Sequence, residues 1–238
     1  MAQQTEAAPR APLSRDRVLH AAVALADGIG IEALSMRKLA QELGVVPMAL
    51  YKHVANKEQL LDGMVEVVVG GIDPPAPGSD WQSAVRQRIL SARQALLGHP
   101  WAAQVIRSRT GPTPAVLAYT DSVIGMFRTG GFSVDLTHHV MHALGSRMLG
   151  FTQELFDASP SPAAQTRAPA PAPAPAQDAG AYPYVMELAM AATHDGDSVV
   201  GQGCDDQFEF EFALDLLLDG FERLRQQGWT SGDRRRRS

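Results

Sequence analysis

The stretch "SMRKLAQELGVVPMALYKHVANKEQLL", residues 35–61, holds side chains that could bind nucleic acid. Direct reading of guanine or adenine needs Arg, Lys, Asn or Gln, and only Arg37 and Lys52 are candidates here. The wider segment 10–57 contains seven Lys or Arg residues and four acids, although the whole chain has a net charge of −5. This local excess of positive charge is small, but it is what a phosphate-contacting surface needs.

These side chains must be positioned by helices, and the sequence marks where the helices begin and end. The segment "SRDRVLHAAVALADGIG" has apolar residues at helical spacing, with Ser14 as the predicted N-cap and Gly28 with Gly30 at the end. Ser35 caps a second helix, and Gly44 supplies the left-handed position that turns the chain. The N-terminal region is therefore predicted to be helical.

A third and a fourth helix follow this glycine turn. Pro47 suits the first turn of a helix that we expect to run to about Val54. Asn56, with Gln59 three residues later, forms a capping-box pattern that starts the next helix. Two short helices around a glycine turn, after a supporting helix, predict a helix-turn-helix, but an ordinary helical hairpin would show the same pattern.

The rest of the chain predicts a second, larger helical domain. The breaker "GGIDPPAPGSD" places the boundary between residues 72 and 73. The expected organisation is an arm at 1–13, a helix-turn-helix domain at 14–72, a regulatory and dimerisation domain at 73–230, and a basic tail at 231–238. Within the second domain, helical periodicity covers residues 81–97, 101–109, 114–129 and 133–156.

Two C-terminal segments have unusual patterns. Residues 158–181 alternate Ala and Pro, which predicts a disordered linker with polyproline II character. The segment 207–228 begins with strand-like alternation, but its length and its Leu, Glu and Arg content favour a helix. One side of that helix would carry Phe210, Leu214 and Leu217, and another Phe208, Phe212 and Leu216. Because such a helix must be covered on two sides, we expect it to dimerise.

A family resemblance rests on "ALSMRKLAQELGVVPMALYKHVANKEQLLDGM", residues 33–64. It resembles the DNA-binding region of TetR-type repressors, and "SDWQSAVR", "GGFS" and "FEFALDLLLDGFERL" are similar to the regulatory domain of the tetracycline-repressor subgroup. The resemblance implies an all-α homodimer: an N-terminal three-helix helix-turn-helix domain joined to a C-terminal ligand-binding and dimerisation bundle. Its implied partners are double-stranded operator DNA and a small-molecule effector.

The resemblance also implies roles for residues around the third helix. Arg37 matches an arginine that reaches a base or phosphate, and Tyr51, His53 and Lys57 match residues that clamp phosphates. The residues facing the groove are apolar here, where tetracycline repressors carry several polar ones, so we expect thymine-methyl contacts and a different operator. The expected DNA-binding residues are Ser35, Arg37, Lys38, Val46, Pro47, Met48, Ala49, Tyr51, Lys52, His53 and Lys57.

Several residues depart from the pattern of the tetracycline repressors, and these departures argue against tetracycline as the effector. The positions of the polar and aromatic drug contacts in tetracycline repressors match Arg88, Ala92 and Val123 here. The position of their metal-binding histidine matches Ile106. We therefore expect an apolar pocket for a hydrophobic effector, anionic or phenolic, although apolar residues on a helix are more often simple core. The expected ligand-binding residues are Arg88, Ala92, Ile106, Arg109, Val123, Phe127, Met141, His142 and Arg147.

A metal site and an enzyme are two alternatives that the sequence does not favour. In "HHVMH", His138 and His142 share a helix face with Asp135, which could hold zinc, but ordinary histidines and a helix-dipole carboxylate explain the pattern better. No nucleophile elbow, P-loop or dinucleotide fingerprint is present, and Cys204 has no cationic neighbour in sequence. We expect no metal, no cofactor and no catalysis.

The absence of a signal-peptide pattern and of a long apolar run predicts a cytoplasmic protein with no membrane partner. A ligand-independent DNA-binding protein, whose bundle serves only dimerisation, is the remaining alternative to a ligand-responsive regulator.

Overall fold

Every regular element in the described part of the chain is helical. The computed structural model describes residues 12–150, 183, 184, 187 and 206–232, with side chains of 146–150 left out. This confirms the all-α prediction. The helices are α1 (Arg15–Ile29), α2 (Met36–Leu43), α3 (Pro47–Leu50), α4 (Lys57–Gly70), α5 (Trp81–Gly98), α6 (Ala102–Ser108), α7 (Pro114–Thr129), α8 (Val134–Gly150) and α9 (Asp206–Gln226).

The predicted caps define the first two helices. Ser14 Oγ accepts a hydrogen bond from the Arg17 amide at 3.2 Å, and Ser35 Oγ accepts one from the Lys38 amide at 3.2 Å. Gly30 ends α1 with φ of 79°, a value that glycine adopts without a Cβ clash. These local hydrogen bonds satisfy backbone groups that a helix end would otherwise leave unpaired.

The third helix is shorter than the sequence pattern predicts. It ends at Leu50 instead of near Val54, because Tyr51, with ψ of −14°, begins a turn. The Leu50 carbonyl still accepts from the amides of His53 at 2.8 Å and Val54 at 3.0 Å, so the turn is continuous with α3. Buried Leu50 and Val54 anchor its two ends. Residues 47–54 therefore form a single turn of α-helix followed by a tight hydrogen-bonded turn.

The next helix begins with a modified capping box. Asn56 Oδ1 accepts from the Gln59 amide at 2.8 Å, as predicted. Gln59 Oε1 accepts from the amide of Ala55 at 2.5 Å, one residue before the N-cap, so the return bond differs from the usual pattern. The start of α4 is therefore held rigidly against the end of the α3 turn.

The described residues 12–141 form one compact unit, with α4 at its centre. α4 packs against α1, α5, α6 and α7, while α2 packs against α1 and α3. The boundary predicted between residues 72 and 73 falls inside this unit, and the division into a DNA-binding and a regulatory domain stays a prediction. The core between α1 and α4 includes Val18, Leu60, Met64 and Val65, all with no exposed surface.

An aromatic cluster holds α5 and α7 together. Trp81 lies with its ring centroid 5.6 Å from that of Phe127 and 4.7 Å from that of Phe132. Asp80 caps α5 in front of this tryptophan, and hydrogen bonds from the Ser83 amide and hydroxyl hold the pKa of Asp80 below its ordinary value. The cap and the cluster together set where α5 starts.

The second compact unit, His142–Ser238, is described mainly through α9. Phe210, Leu214, Leu218 and Phe221 are buried, whereas Phe208, Phe212 and Leu216 are exposed. Leu218 thus takes the buried place that the sequence pattern assigned to Leu217, which is half-buried. The helix prediction is confirmed; the arm to residue 11, the linker 158–181 and the basic tail from residue 233 lie outside the described residues.

Candidate nucleic-acid interface

A left-handed glycine sets the angle between α2 and α3. Gly44 has φ of 65° and ψ of 36°, and its amide donates to the carbonyls of Ala40 and Gln41. The next amide, Val45, donates to the Ala40 carbonyl at 2.9 Å. Leu39 and Leu50 are fully buried between the helices and fix their separation. This is the geometry of a helix-turn-helix.

The exposed side of α3 is apolar. Val46 is 67% exposed, Met48 72% and Tyr51 46%, although all three are large hydrophobic side chains. Pro47 is also exposed and Ala49 half-buried. A cluster of exposed apolar groups on a short helix indicates a binding surface, because a folded protein gains stability by burying such groups.

Four cationic side chains lie before and after α3 in the sequence, and they are available to bind phosphates. Arg37 and Lys38 lie in the first turn of α2, Lys52 in the turn after α3, and Lys57 at the first position of α4. All four side chains are exposed, and none forms an ion pair with another described residue. Ser35 uses its hydroxyl to cap α2, and His53 is half-buried. Unpaired cations are available for phosphates.

Polar contacts tie α1 to the start of α6. Asp27 Oδ1 accepts from Trp101 Nε1 at 2.6 Å, and His99 Nδ1 lies 2.9 Å from the same oxygen. One turn further along, Gln104 Nε2 donates to Glu32 Oε1 at 3.0 Å. These contacts join residues more than seventy positions apart in sequence, which a sequence pattern does not reveal.

A second tie joins α4 to the end of α6. Arg109 Nη1 donates to Glu58 and lies 3.5 Å from Asp62 Oδ1, and Nη2 donates to Ser108 Oγ at 3.2 Å. The Arg109 side chain is only 12% exposed. Glu58 and Asp62 are four residues apart on α4, so they lie on the same helix face and can both contact Arg109. These contacts connect the end of α6 to α4, the helix that begins at Lys57 after the α3 turn.

The predicted effector residues are distributed over several parts of the structure. Ala92, Val123 and Phe127 are buried in the core of the first unit, and Ile106 lines a small cavity with Arg109. Met141 is half-buried and His142 exposed. The side chain of Arg147 lies outside the described residues. Their assignment to an effector pocket stays a prediction.

Arg88, one of the predicted ligand-binding residues, already has partners. Its Nη1 donates to the carbonyls of Ile72 and Asp73, both at 2.8 Å, and its guanidinium carbon lies 4.8 Å from the centre of the Tyr119 ring. Burial raises the pKa of Tyr119 to about 12, although the Arg88 charge acts in the opposite direction. The phenol is therefore neutral at physiological pH, and Arg88 holds α5 to the segment after α4.

The α8 histidines and Asp135 are the residues on which the zinc alternative rested. Asp135 Oδ1 lies 3.7 Å from Nε2 of His139. The His138 and His139 rings meet edge to face at 5.2 Å. Within the described residues no three His, Cys, Asp or Glu side chains converge as metal ligands.

Sequence reasoning missed the acidic residues that make these ties. Asp27, Glu32, Glu58 and Asp62 were not singled out, because an acid on a helix surface usually faces water. The only signal was the spacing of Glu58, Asp62 and Glu66 along α4 at four-residue intervals, which places them on one helix face.

Two helices joined at a left-handed glycine, with an exposed second helix and unpaired cations around it, define a helix-turn-helix regulator. Two family models match the chain: "Bacterial regulatory proteins, tetR family" at residues 18–64 and "Tetracyclin repressor-like, C-terminal domain" at residues 74–225. The chain belongs to the TetR family. Its members are DNA-binding transcription factors, which excludes the enzyme hypothesis.

Individual relatives agree with this family. The chain is 36% identical over 127 residues to the HTH-type transcriptional repressor DrrR1 of Streptomyces coeruleorubidus, covering 52% of this chain and 47% of that protein. Among solved structures, a possible TetR family regulator from Streptomyces coelicolor A3(2) is 29% identical, with a TM-score of 0.65 over 89% of this chain and 100% of the other.

A third relative was solved with a bound small molecule. ActR from Streptomyces coelicolor in complex with (S)-DNPA is 25% identical, with a TM-score of 0.64 over 90% of this chain and 98% of that one.

The chain spans about half the length of two curated relatives that it matches: 47% of DrrR1 and 51% of an HTH-type transcriptional regulator of Saccharopolyspora erythraea. In the described part of the chain, no helix is both long and apolar enough to cross a bilayer.

Proposed function

We propose that the protein is a transcriptional repressor that binds a palindromic operator as a homodimer and leaves it when a small hydrophobic effector binds. The observation that carries this proposal is the exposed apolar surface of α3, with Val46 67% and Met48 72% exposed beside unpaired cations. A relative named as a repressor supports the sign of regulation, and a structural relative solved with (S)-DNPA supports control by a small molecule.

The operator is read mainly through shape and methyl contacts. Val46, Pro47, Met48 and Ala49 have no side-chain hydrogen-bond donors, so they discriminate by packing on thymine methyls. Arg37, Lys38, Lys52 and Lys57 supply phosphate contacts and one or two base contacts per half-site. The half-site should therefore contain thymines opposite α3, with few positions read by hydrogen bonds.

Dimerisation uses the exposed side of α9. Phe208 is 46% exposed, Phe212 54% and Leu216 58%, and they lie four residues apart along one helix face. Fully burying a side chain of this size contributes roughly 1.5–3 kcal/mol, so covering one that is half exposed contributes about half of that. A second copy of the chain would bury this stripe on each protomer. A Cβ added at Gly145 of α8 would meet nothing within 4 Å. This open surface leaves room for a helix of a second copy to approach closely.

The effector differs from a magnesium–tetracycline chelate. Ile106 stands where a metal-binding histidine would be, and Ala92 and Val123 where polar or aromatic drug contacts would be. An effector releases DNA only if it prefers a conformation that does not fit the operator. The remaining candidates favour a hydrophobic molecule with an anionic or phenolic group, oriented by Arg88, His142 or Arg147.

A footprint on the DNA upstream of the protein's own gene tests the proposal. We expect protection of a palindrome whose half-site centres lie about one helical turn apart, roughly 34 Å. Candidate hydrophobic acids and phenols are then added, and an effector should both raise the melting temperature of the free protein and remove the footprint. Tetracycline with magnesium should do neither.

Two outcomes would overturn parts of this proposal. Absence of any protected palindrome contradicts specific operator binding by a dimer. A footprint that no stabilising ligand removes supports the ligand-independent alternative. That alternative has one structural argument in its favour, because Arg88 and Arg109 already have intramolecular partners.

A further inference from the structure

The exposed apolar side of α3 contains a methionine whose thioether is open to solvent. Met48 is 72% exposed, whereas Met64, in the core between α1 and α4, has no exposed surface. Three further methionines of the described residues are half-buried: Met36, Met126 and Met141. Met48 is thus the most accessible methionine in the described part of the chain.

Packing holds this side chain away from the core. Leu50, two residues after Met48, is fully buried, and α3 packs against α2. Pro47 occupies the first position of α3 and restricts φ there. The Ala49 amide donates to the Val46 carbonyl at 2.9 Å, so the backbone is fixed on both sides of Met48. Because residues two apart on a helix point in different directions, burial of Leu50 turns Met48 towards solvent.

The side chains next to this thioether in sequence have no hydrogen-bonding groups. Val46 is 67% exposed, Pro47 is exposed and Ala49 is half-buried. In the proposed function they pack with Met48 against thymine methyl groups. A polar group at position 48 would have to lose its water to enter that contact, and these three side chains supply no donor to replace it.

Oxidation of methionine creates such a polar group. A peroxide transfers one oxygen atom to the thioether: an S–O bond forms, the O–O bond breaks, the sulfur loses two electrons, and the peroxide becomes water or an alcohol. A sulfoxide reductase reverses the change, because two thiols become a disulfide and the oxygen leaves as water. The product, methionine sulfoxide, is therefore a reversible polar modification.

We propose that Met48 is a site of reversible oxidation through which peroxides weaken operator binding. The inference rests on the proposed function, in which Met48 contacts the operator, and it adds a second input beside the small-molecule effector. The sulfoxide oxygen cannot pack on a thymine methyl, so each half-site loses an apolar contact and a polar group must be desolvated. A repressor modified in this way would leave its operator under oxidising conditions.

Peptide mapping by mass spectrometry measures which methionines react. In the folded protein, hydrogen peroxide should add about 16 Da, one oxygen atom, at Met48 well before it does so at enclosed Met64. Bound operator should slow the reaction at Met48 at least about tenfold and leave that at Met126 of α7 unchanged, because susceptibility follows exposure. Equal reaction rates at Met48 and Met64, or no protection of Met48 by the operator, contradict the assignment.

Operator titrations before and after oxidation measure the effect on binding. All proteins carry Cys204→Ser, which removes the single thiol of the chain, so that only methionine chemistry is compared. Oxidation should weaken binding to the palindrome at least about tenfold, as expected for desolvating a polar group in place of an apolar contact. Treatment with a methionine sulfoxide reductase and dithiothreitol should restore the original affinity.

Variants assign the effect to one sulfur. Met48→Leu is apolar and has no sulfur, so its affinity should be the same before and after peroxide treatment. The matched control is Met36→Leu at the start of α2, which should lose as much affinity on oxidation as the parent. Met48→Gln carries a permanent polar group and should bind at least about tenfold more weakly than Met48→Leu. An oxidised Met48→Leu that loses affinity, or an oxidised parent that does not, overturns the proposal.

Failure of this inference differs from failure of the proposed function. A protein that protects the palindrome equally well with Met48 as thioether and as sulfoxide keeps its proposed function, and oxidation is then excluded as a regulator. An unoxidised protein that protects no palindrome contradicts the proposed function, and the inference is contradicted with it.

Discussion

At the scale of single residues, the candidate interface separates the side chains that attract DNA from those that select a sequence. The cations Arg37 and Lys57 are exposed and unpaired within the described residues, whereas Val46 and Met48 expose only hydrocarbon and sulfur. Phosphate contacts are independent of sequence, and apolar contacts report mainly the thymine methyl. Affinity and specificity should therefore respond to different substitutions.

The first prediction compares Arg37→Ala with Lys57→Ala in operator titrations. Arg37→Ala should cost about 1–3 kcal/mol and relax preference at one operator position, because a base contact is lost. Lys57→Ala should weaken all DNA sequences alike and lower the slope of log affinity against log salt by about one, because a phosphate contact is lost.

A matched control for both variants is Arg223→Ala, an exposed cation of α9. It should change neither the preference nor the salt slope. An unchanged operator preference in Arg37→Ala would contradict the base contact. Unchanged salt dependence in Lys57→Ala would contradict the phosphate contact.

The second prediction concerns the pH dependence of stability at Asp80. Hydrogen bonds from Ser83 lower the folded-state pKa of Asp80 below its ordinary value of 3.8. A lowered folded pKa gives stability that is present above the unfolded pKa and lost as pH falls through the folded one. Relative to Asp80→Asn, the wild type should keep a constant advantage at neutral pH and lose it below pH 3.8.

Urea unfolding of both proteins from neutral pH down to the acid limit measures this difference. The Asn oxygen can still accept from the Gln82 and Ser83 amides, so the comparison removes the charge and the bond that Oδ2 accepts from the Ser83 hydroxyl. A gap between the two proteins that is the same at all pH values would show that the cap acts without its charge.

At the scale of elements, close contacts decide which helix positions tolerate change. Gly130, which ends α7, lies where a Cβ would come 2.6 Å from both Cβ and Cγ of Trp81. That tryptophan packs on Phe127 and Phe132, so it cannot move away freely. Gly125, five residues earlier in α7, has nothing within 4 Å of the same position.

The third prediction is that Gly130→Ala and Gly125→Ala change stability in opposite directions. Gly130→Ala should lower the free energy of unfolding by about 1–3 kcal/mol, through overpacking against Trp81. Gly125→Ala should raise it by roughly 0.5–1 kcal/mol, because alanine favours a helix interior. Chemical denaturation of the two variants checks this, and a neutral Gly130→Ala would show that the aromatic cluster can shift.

At the scale of the whole molecule, the exposed apolar stripe of α9 would remain in contact with water if the protein were a monomer. Phe208, Phe212 and Leu216 each expose about half of their surface or more. Symmetric pairing of such a stripe also suits a palindromic DNA site, since both have two-fold symmetry. The oligomeric state is therefore linked to operator binding.

The fourth prediction tests this link. The double variant Phe212→Ser/Leu216→Ser should be monomeric in analytical ultracentrifugation and should bind the palindrome at least about a hundredfold more weakly, because one half-site contact is lost. Leu117→Ser, on the exposed side of α7 with 54% of that leucine accessible, is the control and should remain dimeric. A dimeric double variant would exclude this face as the interface.

Much of the fold could be predicted from local patterns. Ser14, Ser35 and Asn56 cap helices, and Gly44 adopts the left-handed turn, as their positions in sequence indicate. Each depends on hydrogen bonds or dihedral angles within a few residues. The predictions that α3 runs to about Val54 and that Leu217 is a buried position were wrong. The turn at Tyr51 ends α3 at Leu50, and Leu218 is buried where Leu217 is half-buried.

The sequence by itself determined the helical class, the caps, the glycine turn and the family, since these depend on local spacing and a specific motif. Only the tertiary structure decided that Arg109 pairs with Glu58 and Asp62, and that Arg88 holds backbone carbonyls. The same is true of the small cavity that Ile106 lines with Arg109. Such pairings join residues far apart in the chain, and a charged side chain in a sequence does not specify its partner.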